Sequence, residues 1–230
     1  MQENNFQIRY NACHERGWTD SYLLIYNNEK IGYVSIKGNE DLKDRDTVFE
    51  FYIIPSFRNL SPVAFLELLQ VSKAGFIECQ SNDLLLTSLL YQFARNISSN
   101  VILFEDGFTP DIKTKKLIFR KRNNNDAVFE HTSEPVGDYV LELNKQIVAT
   151  GGFLLHYNMP FADLYMEVEA AHRKKRFGSF LIQELKRECY LAGRVPAARC
   201  NIDNIASKST LLKAGLKIAG YMLLAEVKKK

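Results

Sequence analysis

The strongest chemical signal in the sequence is a basic turn, Arg173-Lys-Lys-Arg176, followed closely by Gly178 and Ser179. It follows a β-rich segment ending at Val168 and leads into a predicted helix, 178–192. Backbone N–H groups in such a turn and at a helix start lack partners within the helix, and the helix dipole favours an anion there. Four consecutive cations add positive charge. The pattern predicts a pyrophosphate site, with a solvated basic turn as the alternative.

Two common phosphate motifs do not fit this turn. No Gly-Lys-Ser or Gly-Lys-Thr follows it, as a nucleotide P-loop requires. Gly178 stands alone where a dinucleotide-binding fingerprint has three glycines. Because Gly178 has no side chain, we expect it to let an anion approach the backbone closely.

The elements that position this turn follow an order that occurs twice. Each half, at about 22–104 and 139–227, reads as a hairpin, a strand, a helix, a strand, a helix and a strand. Lys121–Asp126 is polar and predicts a linker. We therefore predict an α/β (α+β) protein with two domains, 1–122 and 127–230, related by duplication. Chance recurrence of a common order is the alternative.

Particular segments support this division. Ser21-Tyr22 and Asp138-Tyr139 precede the two hairpins, and an Arg follows both Ile53 and Val168 by five residues. The predicted helices are 62–71, 84–94, 178–192 and 205–214, and a short strand at 101–104 is predicted near the end of the first half.

Val168, Arg173, Gly178 and Ser179 resemble the acyl-CoA signature of the GNAT superfamily, the CoA-dependent N-acyltransferases. In that signature a strand ends in Val, and Arg/Gln-x-x-Gly-x-Gly/Ala then opens a helix. The resemblance covers about residues 135–227. It implies two GNAT-like modules, each with a mixed, mostly antiparallel central sheet flanked by helices.

A downstream stretch, Asn204 to Leu216, resembles the second motif of the same family. The resemblance implies acetyl-CoA as co-substrate, held between two splayed strands and at the basic turn. The residues that it assigns to CoA binding are Met166, Val168, Arg173, Lys174, Lys175, Arg176, Phe177, Gly178, Ser179, Asn204, Ser207 and Lys213. Glu169 is expected to offer a further backbone group to the pantetheine arm.

Two positions depart from the family pattern. Arg176 stands where the signature has its first Gly, so the turn must accept a side chain there. Leu211 stands where many relatives have the Tyr that protonates the leaving thiolate, which puts the usual general acid in doubt.

An attacking amine must be neutral, so a base has to take its proton. Tyr165, Glu167 and Glu169 share one face of the predicted strand, opposite Val168. We predict Glu167 as the base, with Asp163 and Glu169 as alternatives, and Tyr165 or Tyr221 as the acid. An exposed strand face is the structural explanation for the same charges.

The loop from His156 to Pro160 lies where relatives admit the acceptor, so His156, Tyr157 and Asp163 are predicted to bind substrate. A satisfied loop histidine is the simpler interpretation of His156. His131 lies between Glu130 and Glu134, but no third or fourth ligand follows, so no metal site is predicted.

The corresponding turn of the first half contains one cation, Arg58, and no glycine, and it is followed by Pro62, which lacks an N–H group. We predict that the first half is a degenerate module that has lost CoA and that shapes the acceptor side.

Composition limits the remaining classes. The chain has 230 residues, 46% hydrophobic and 25% charged, with a net charge of +3, so we predict no nucleic-acid partner. It has no apolar run of the roughly 18 residues that a spanning helix needs and no signal-peptide pattern, so no membrane partner is predicted. Four scattered cysteines without a Cys-x-x-Cys pair predict free thiols and a cytoplasmic location.

The sequence therefore predicts an acetyltransferase that moves an acetyl or small acyl group from acetyl-CoA to a primary amine, by direct attack in a ternary complex. The acceptor is a small molecule or a peptide, and the protein is a monomer or a homodimer. A non-catalytic acyl-CoA-binding or sensing module is the alternative. A basic scaffold for an anionic partner is a third, weaker interpretation.

Overall fold

A computed structural model describes residues 6, 10–114 and 116–228 of the chain. The chain folds into two compact units, one of Met1–Asn100 with Gly220–Lys230 and the other of Val101–Ala219. It passes from unit 1 to unit 2 within one strand, Ala94–Asp106, and returns within another, Leu216–Val227. Among the described residues, no helix is long and apolar enough to cross a membrane.

Unit 1 is a sheet with three helices. Its elements are α1 (Tyr10–Glu15), β1 (Thr19–Tyr26), β2 (Glu29–Lys37), β3 (Thr47–Ile53), a 3-10 turn (Pro55–Leu60), α2 (Ser61–Ser72), β4 (Phe76–Gln80), α3 (Leu84–Phe93) and the start of β5 (Ala94–Asp106). The strand order is β1-β2-β3-β4, followed by the end of the last strand, Leu216–Val227. Its core forms where α2 and α3 cover the sheet, with Phe65, Leu86 and Leu90 fully buried.

Unit 2 repeats this element order. Its elements are β6 (Leu117–Lys121), β7 (Tyr139–Leu143), β8 (Gln146–Leu154), β9 (Phe161–Val168), a 3-10 turn (Ala170–His172), α4 (Phe177–Leu191), β10 (Val195–Asn201), α5 (Ile205–Lys213) and the start of β11 (Leu216–Val227). The strand order is β5-β10-β9-β8-β7-β6. Apolar residues of α4, including Leu181, Ile182 and Leu185, are fully buried. The predicted fold class is confirmed, because each unit is a mixed, mostly antiparallel sheet flanked by helices.

The division between the units lies elsewhere than the predicted ranges 1–122 and 127–230. It falls inside β5 and β11, whereas the polar run Lys121–Asp126 belongs to unit 2. Arg120 on β6 donates to Asp126 Oδ2 (2.7 Å) and to Glu142 Oε2 (2.9 Å), which fastens that run to the sheet. Polarity alone does not distinguish a linker from a loop held by ion pairs.

The two sheets have the same register. In unit 1, Tyr22 lies opposite Val34, which lies opposite Phe51. In unit 2, Tyr139 lies opposite Gly151, which lies opposite Met166. The arginine after each third strand also makes the same contact. Arg58 Nε donates to Ile53 O (3.3 Å) and Arg173 Nε to Val168 O (3.0 Å).

A parallel strand pair in each unit opens into a fork. In unit 2, β9 and β10 pair only at Phe161–Val195, Ala162–Pro196 and Asp163–Ala197. Beyond Asp163, β9 continues to pair with β8 and β10 with β5. The edge of β9 that faces β10 is therefore open from Leu164 onward, within the part of the chain that the structure describes. In unit 1, β3 and β4 likewise pair only at Thr47–Phe76 and Val48–Ile77.

A fully buried lysine fastens α4 to its surroundings in unit 2. Lys186 Nζ donates to Phe108 O (2.6 Å) and Ala214 O (3.2 Å), and forms an ion pair with Asp106. The adjacent Gly215 has φ +85°, and a Cβ there would collide with Phe108 O. Because all three ammonium protons have acceptors, the charge is tolerated in the interior.

We expect Lys186→Met to lower the free energy of unfolding by about 3–5 kcal/mol, because it leaves Asp106 and two carbonyl oxygens without their cation. Lys217 forms an exposed ion pair with Glu105 (3.0 Å), so Lys217→Met is a matched control and should cost under about 1 kcal/mol. Urea denaturation of the full chain measures both values. Equal losses from the two variants would contradict the assignment.

Candidate functional site

The basic turn before α4 presents backbone N–H groups outward. Lys174 (φ +62°) and Arg176 (φ +66°) both adopt the left-handed conformation. Among the described residues, no acceptor is found for the N–H groups of residues 174–179. Alternation of left- and right-handed residues makes a concave nest of N–H groups that suits an anion. Because glycine adopts the left-handed conformation without strain, this geometry also explains why the signature has a glycine where this chain has Arg176.

Gly178 has a different role from the one expected. A Cβ at this position would lie 3.1 Å from Met166 Cε and 3.1 Å from Thr210 Cγ2. The glycine therefore lets α4 pack against β9 and α5. Its missing side chain would point at these neighbours, so it does not provide the expected clearance for an anion. Ser179 supports the same packing, because its Oγ donates to Thr210 O (3.2 Å).

The four cations of the turn differ in their contacts. Arg173 donates from Nε to Val168 O (3.0 Å), and its Nη2 lies 3.7 Å from Glu167. Lys175 Nζ donates to Ala171 O (3.0 Å). Lys174 and Arg176 are exposed, and no side-chain partner is found for them in the described parts of the chain. Phe177 stacks on His172, with 6.1 Å between ring centroids.

The open edge of β9 offers backbone groups to the fork. Glu169 N–H donates to Val148 O on β8 (3.0 Å). Because N–H directions alternate along a strand, those of Met166 and Val168 point the other way, into the fork. The N–H groups of Met166 and Val168 thus face the fork, whereas the N–H of Glu169 is already used within the sheet.

Glu167, the predicted base, is 5% exposed and saturated with hydrogen bonds. It accepts from the N–H groups of Thr132, Ser133 and Glu134 and from the hydroxyls of Thr132 and Ser133, at 2.9–3.3 Å. Burial raises its pKa, but the bonds from Glu134, Ser133 and Thr132 outweigh burial and lower the pKa to about 2. A carboxylate held in this way anchors a loop and is a poor proton acceptor near neutral pH.

The surroundings of Tyr165 and Glu169, the other two residues predicted for catalysis, give little support for a catalytic role. Burial, and then the charges of Asp138 and Glu134, raise the pKa of the Tyr165 phenol. A phenol with a raised pKa donates its proton poorly to a thiolate, because the corresponding thiol has an ordinary pKa near 8.5. The Glu169 carboxylate lies 3.3 Å from Gln146 Nε2 and 3.6 Å from His172 Nε2, beyond the end of β9.

Asp163 and His156 meet at the closed end of the fork. His156 Nε2 lies 3.2 Å from Asp163 Oδ2, and Arg199 Nε lies 3.7 Å from the same oxygen. Asp163 is 7% exposed. Tyr157 is buried and meets the His156 ring edge to face at 5.0 Å. The structure thus brings together the three residues that were predicted to bind substrate.

The second motif forms α5 and its cap. Asn204 Oδ1 accepts from Ser207 N–H (3.0 Å), which caps the helix. Lys213 is exposed in the last turn, roughly 13 Å along the axis from Asn204 at 1.5 Å per residue. Position 211 is a buried leucine and therefore has no phenol to offer as an acid.

Glu134 and Arg199 lie near Asp163, in the cluster that Asp163 forms with His156 and Tyr157. The sequence did not point to them as site residues. Burial, and then the charges of Asp163 and Glu167, raise the pKa of Glu134, while Arg199 and His131 lower it. Their approach depends on how the loop before β7 folds over the sheet, which no local pattern signals.

The corresponding turn of unit 1 is built differently. Residues 55–60 form a 3-10 turn that uses its own donors, since Ser61 N–H bonds Arg58 O and Phe57 N–H bonds Ile54 O (3.0 Å). Pro62 then removes a donor at the start of α2. No nest of N–H groups forms among the described residues of this turn.

Residues 17–107 match the family model described as an acetyltransferase (GNAT) domain. The match falls in the half that the sequence analysis interpreted as degenerate. No curated protein sequence matches the chain significantly.

Three solved structures are similar to the chain at 9–13% identity. An acetyltransferase of the GNAT family from Colwellia psychrerythraea has a TM-score of 0.68 and 13% identity, covering 90% of this chain and 85% of that one. A GCN5-related N-acetyltransferase from Sphaerobacter thermophilus has a TM-score of 0.57 and 12% identity, covering 91% and 81%. A tandem GNAT protein from the clavulanic acid biosynthesis pathway has a TM-score of 0.51 and 9% identity, covering 92% and 84%. These likenesses show the fold.

We expect Glu167→Gln to lower the free energy of unfolding at pH 7 by about 1–3 kcal/mol, because donors around the site lose a charged acceptor. The folded-state pKa of about 2 lies below the ordinary 4.5, so the stabilisation is complete above pH 4.5 and is lost as pH falls towards 2. The difference between variant and parent should shrink over that range in urea denaturation. Glu130→Gln, at an exposed position, serves as the control, and a pH-independent difference would contradict the account.

Proposed function

Since residues 17–107 match a GNAT acetyltransferase domain and the chain has the tandem GNAT fold, we propose that unit 2 transfers an acetyl or small acyl group from acetyl-CoA to a primary amine. One observation carries this proposal. An open fork between β9 and β10 ends beside a turn whose N–H groups and cations point outward. The extended pantetheine arm of acetyl-CoA would match the open strand edge of the fork, and its pyrophosphate would match the N–H groups and cations of the turn.

The residues around the fork divide the work of binding. The N–H groups of residues 174–179 and the side chains of Lys174 and Arg176 would hold the pyrophosphate. The inward-facing backbone groups of Met166 and Val168 would pair with the amides of the pantetheine arm, as an added strand does. Asn204 keeps its amide NH₂ for the far side of the arm while its Oδ1 caps α5. Lys213 is the outlying member of the predicted set.

The reaction follows from this arrangement. The neutral amine attacks the thioester carbonyl carbon, the C–N bond forms, and the carbonyl electrons move to oxygen. The N–H of Met166, at the open edge of β9, stabilises that oxyanion. The C–S bond then breaks as the carbonyl re-forms, and the attacking nitrogen, which is positively charged after the attack, releases one proton. The CoA thiolate takes up a proton from solvent, because a thiol pKa near 8.5 makes a dedicated acid helpful rather than necessary.

The acceptor side carries three carboxylates, and two of them lie 3.7 Å from an arginine, Asp163 from Arg199 and Glu167 from Arg173. Asp163, Glu134 and Glu167 approach one another on the face of β9 that points away from α4. This favours a cationic amine, such as a polyamine, an aminoglycoside or the N-terminus of a peptide.

Charge reversal tests the anion site. We expect Arg176→Glu to weaken acetyl-CoA binding by roughly tenfold to a hundredfold in calorimetry, because it places a carboxylate beside the pyrophosphate. Arg176→Gly should bind within about threefold of the parent, because the backbone donors remain and glycine suits the left-handed conformation. Lys145 is also exposed and left-handed (φ +67°), so Lys145→Glu is the matched control. No heat with the parent protein would refute the proposal.

Stoichiometry tests the assignment to unit 2. The 3-10 turn and Pro62 of unit 1 lack free donors for phosphate, so one equivalent of acetyl-CoA per chain is expected. Two equivalents of similar affinity would contradict the loss of CoA binding from unit 1.

A non-catalytic acyl-CoA-binding module is the second candidate, and buried Leu211 in place of a phenol favours it. Thiol release from acetyl-CoA over a panel of spermidine, an aminoglycoside and a short peptide separates the two. Turnover with any amine supports the transferase. Binding without turnover supports the sensing module.

A further inference from the structure

We infer that His156 is the general base that takes the proton of the acceptor amine, and that Asp163 is its positioning residue. This inference rests on the proposed function of unit 2. It replaces Glu167 in the role that the sequence suggested.

The location follows from the fork. The turn that would hold the pyrophosphate lies beyond Val168, at the wide end. An arm extended along β9 from that turn brings its far end, the thioester, towards the point where β9 and β10 rejoin. Asp163 is the last residue paired across these strands, and Leu154 of β8 lies opposite it. His156 follows β8 by two residues, so both side chains lie at the reacting end.

The contacts of His156 orient its ring. Nε2 is buried and lies 3.2 Å from Asp163 Oδ2, a contact at ion-pair distance, and it makes no hydrogen bond among the described residues. A carboxylate at this distance favours the tautomer with its proton on Nε2, which leaves the lone pair on Nδ1. The ring is further fixed by its edge-to-face contact with Tyr157. A buried carboxylate beside one ring nitrogen, with the second nitrogen left to accept a proton, is the arrangement of a carboxylate-oriented base.

The other titratable groups of this face are less suited to the task. Glu167 is occupied by five donor groups and has a pKa of about 2. Tyr165 is a neutral phenol with a raised pKa. The pKa of Glu134 is raised by burial and by its acidic neighbours, and Arg199 faces Asp163 from β10 at 3.7 Å. Among these groups, Asp163 is the carboxylate that contacts the His156 ring.

The proton balance is simple. An ammonium acceptor loses one proton to His156 Nδ1 and becomes a neutral amine, whose lone pair forms the new C–N bond. The nitrogen is then positively charged, and it loses a second proton to solvent as the C–S bond breaks. The imidazolium keeps its Nε2–H towards Asp163 and later returns its proton to solvent. No oxidant, reductant or metal enters the step.

Two acceptors of different basicity test the inference in the full chain. Alkyl amines are protonated at pH 7.5 and need a base, whereas hydroxylamine is already neutral. We expect His156→Gln to lower kcat for the best amine of the panel by about a hundredfold. Its kcat with hydroxylamine should fall less than about threefold, and acetyl-CoA affinity should stay unchanged. Imidazole added to His156→Ala should restore part of the amine activity.

The matched control is His14→Gln. His14 also pairs with a buried carboxylate, Glu50, at 2.8 Å, but it lies in unit 1, so both activities should be unchanged. Asp163→Asn tests positioning, because a ring that has lost its orienting carboxylate should lower kcat for the amine, with kcat for hydroxylamine and acetyl-CoA affinity nearly unchanged.

The outcomes are distinct. Full amine activity in His156→Gln, or equal losses with both acceptors, would overturn the role of His156 and leave the transferase intact. A parent protein that binds acetyl-CoA without transferring acetyl to any amine would overturn the proposed function and this inference together. Full amine activity in Asp163→Asn, or equal losses with both acceptors, would overturn the positioning role alone.

Discussion

The separation of β9 from β10 after Asp163 is the constraint on which the rest of unit 2 depends. A parallel pair that continued to Val168 would satisfy every inner N–H and C=O group of β9. Because the pair ends early, Met166 and Val168 keep unpaired backbone groups on one edge. Arg173 covers one of them, the Val168 carbonyl, which also directs the chain into the outward-facing turn. The fork follows from this departure from regular pairing, whereas the anion site also requires the left-handed turn residues Lys174 and Arg176, because unit 1 has a similar fork without such a turn.

The two units illustrate how the same framework can carry different chemistry. Their hairpins and third strands share a register, and each has an arginine bonded five residues back. They differ at the turn, where unit 1 closes its N–H groups into a 3-10 helix and unit 2 exposes them. The family match covers unit 1, although its turn lacks the donors. Similarity of framework is thus a separate matter from retention of the anion site.

The sequence predicted the framework well because its signals were local. Helical spacing gave 178–192 for a helix that spans Phe177–Leu191, and 84–94 for Leu84–Phe93. The strand predicted at 101–104 is in fact Ala94–Asp106, because its polar first half lies on exposed sheet surface and lacks apolar alternation. The short helix Tyr10–Glu15 was missed for a related reason, since six residues give too little periodicity.

The site was harder to predict because charge alone does not reveal a residue's partners. The sequence favours Glu167 as the base because a carboxylate between apolar neighbours on a strand suggests a function. The structure shows a different function, which is to hold a loop. Donors from Thr132 to Glu134, more than thirty residues earlier in the chain, converge on it. A carboxylate that serves as an acceptor for a loop cannot also be a ready acceptor for a substrate proton. The base must therefore be sought among groups with a free lone pair, and on this face that points to an imidazole rather than a carboxylate.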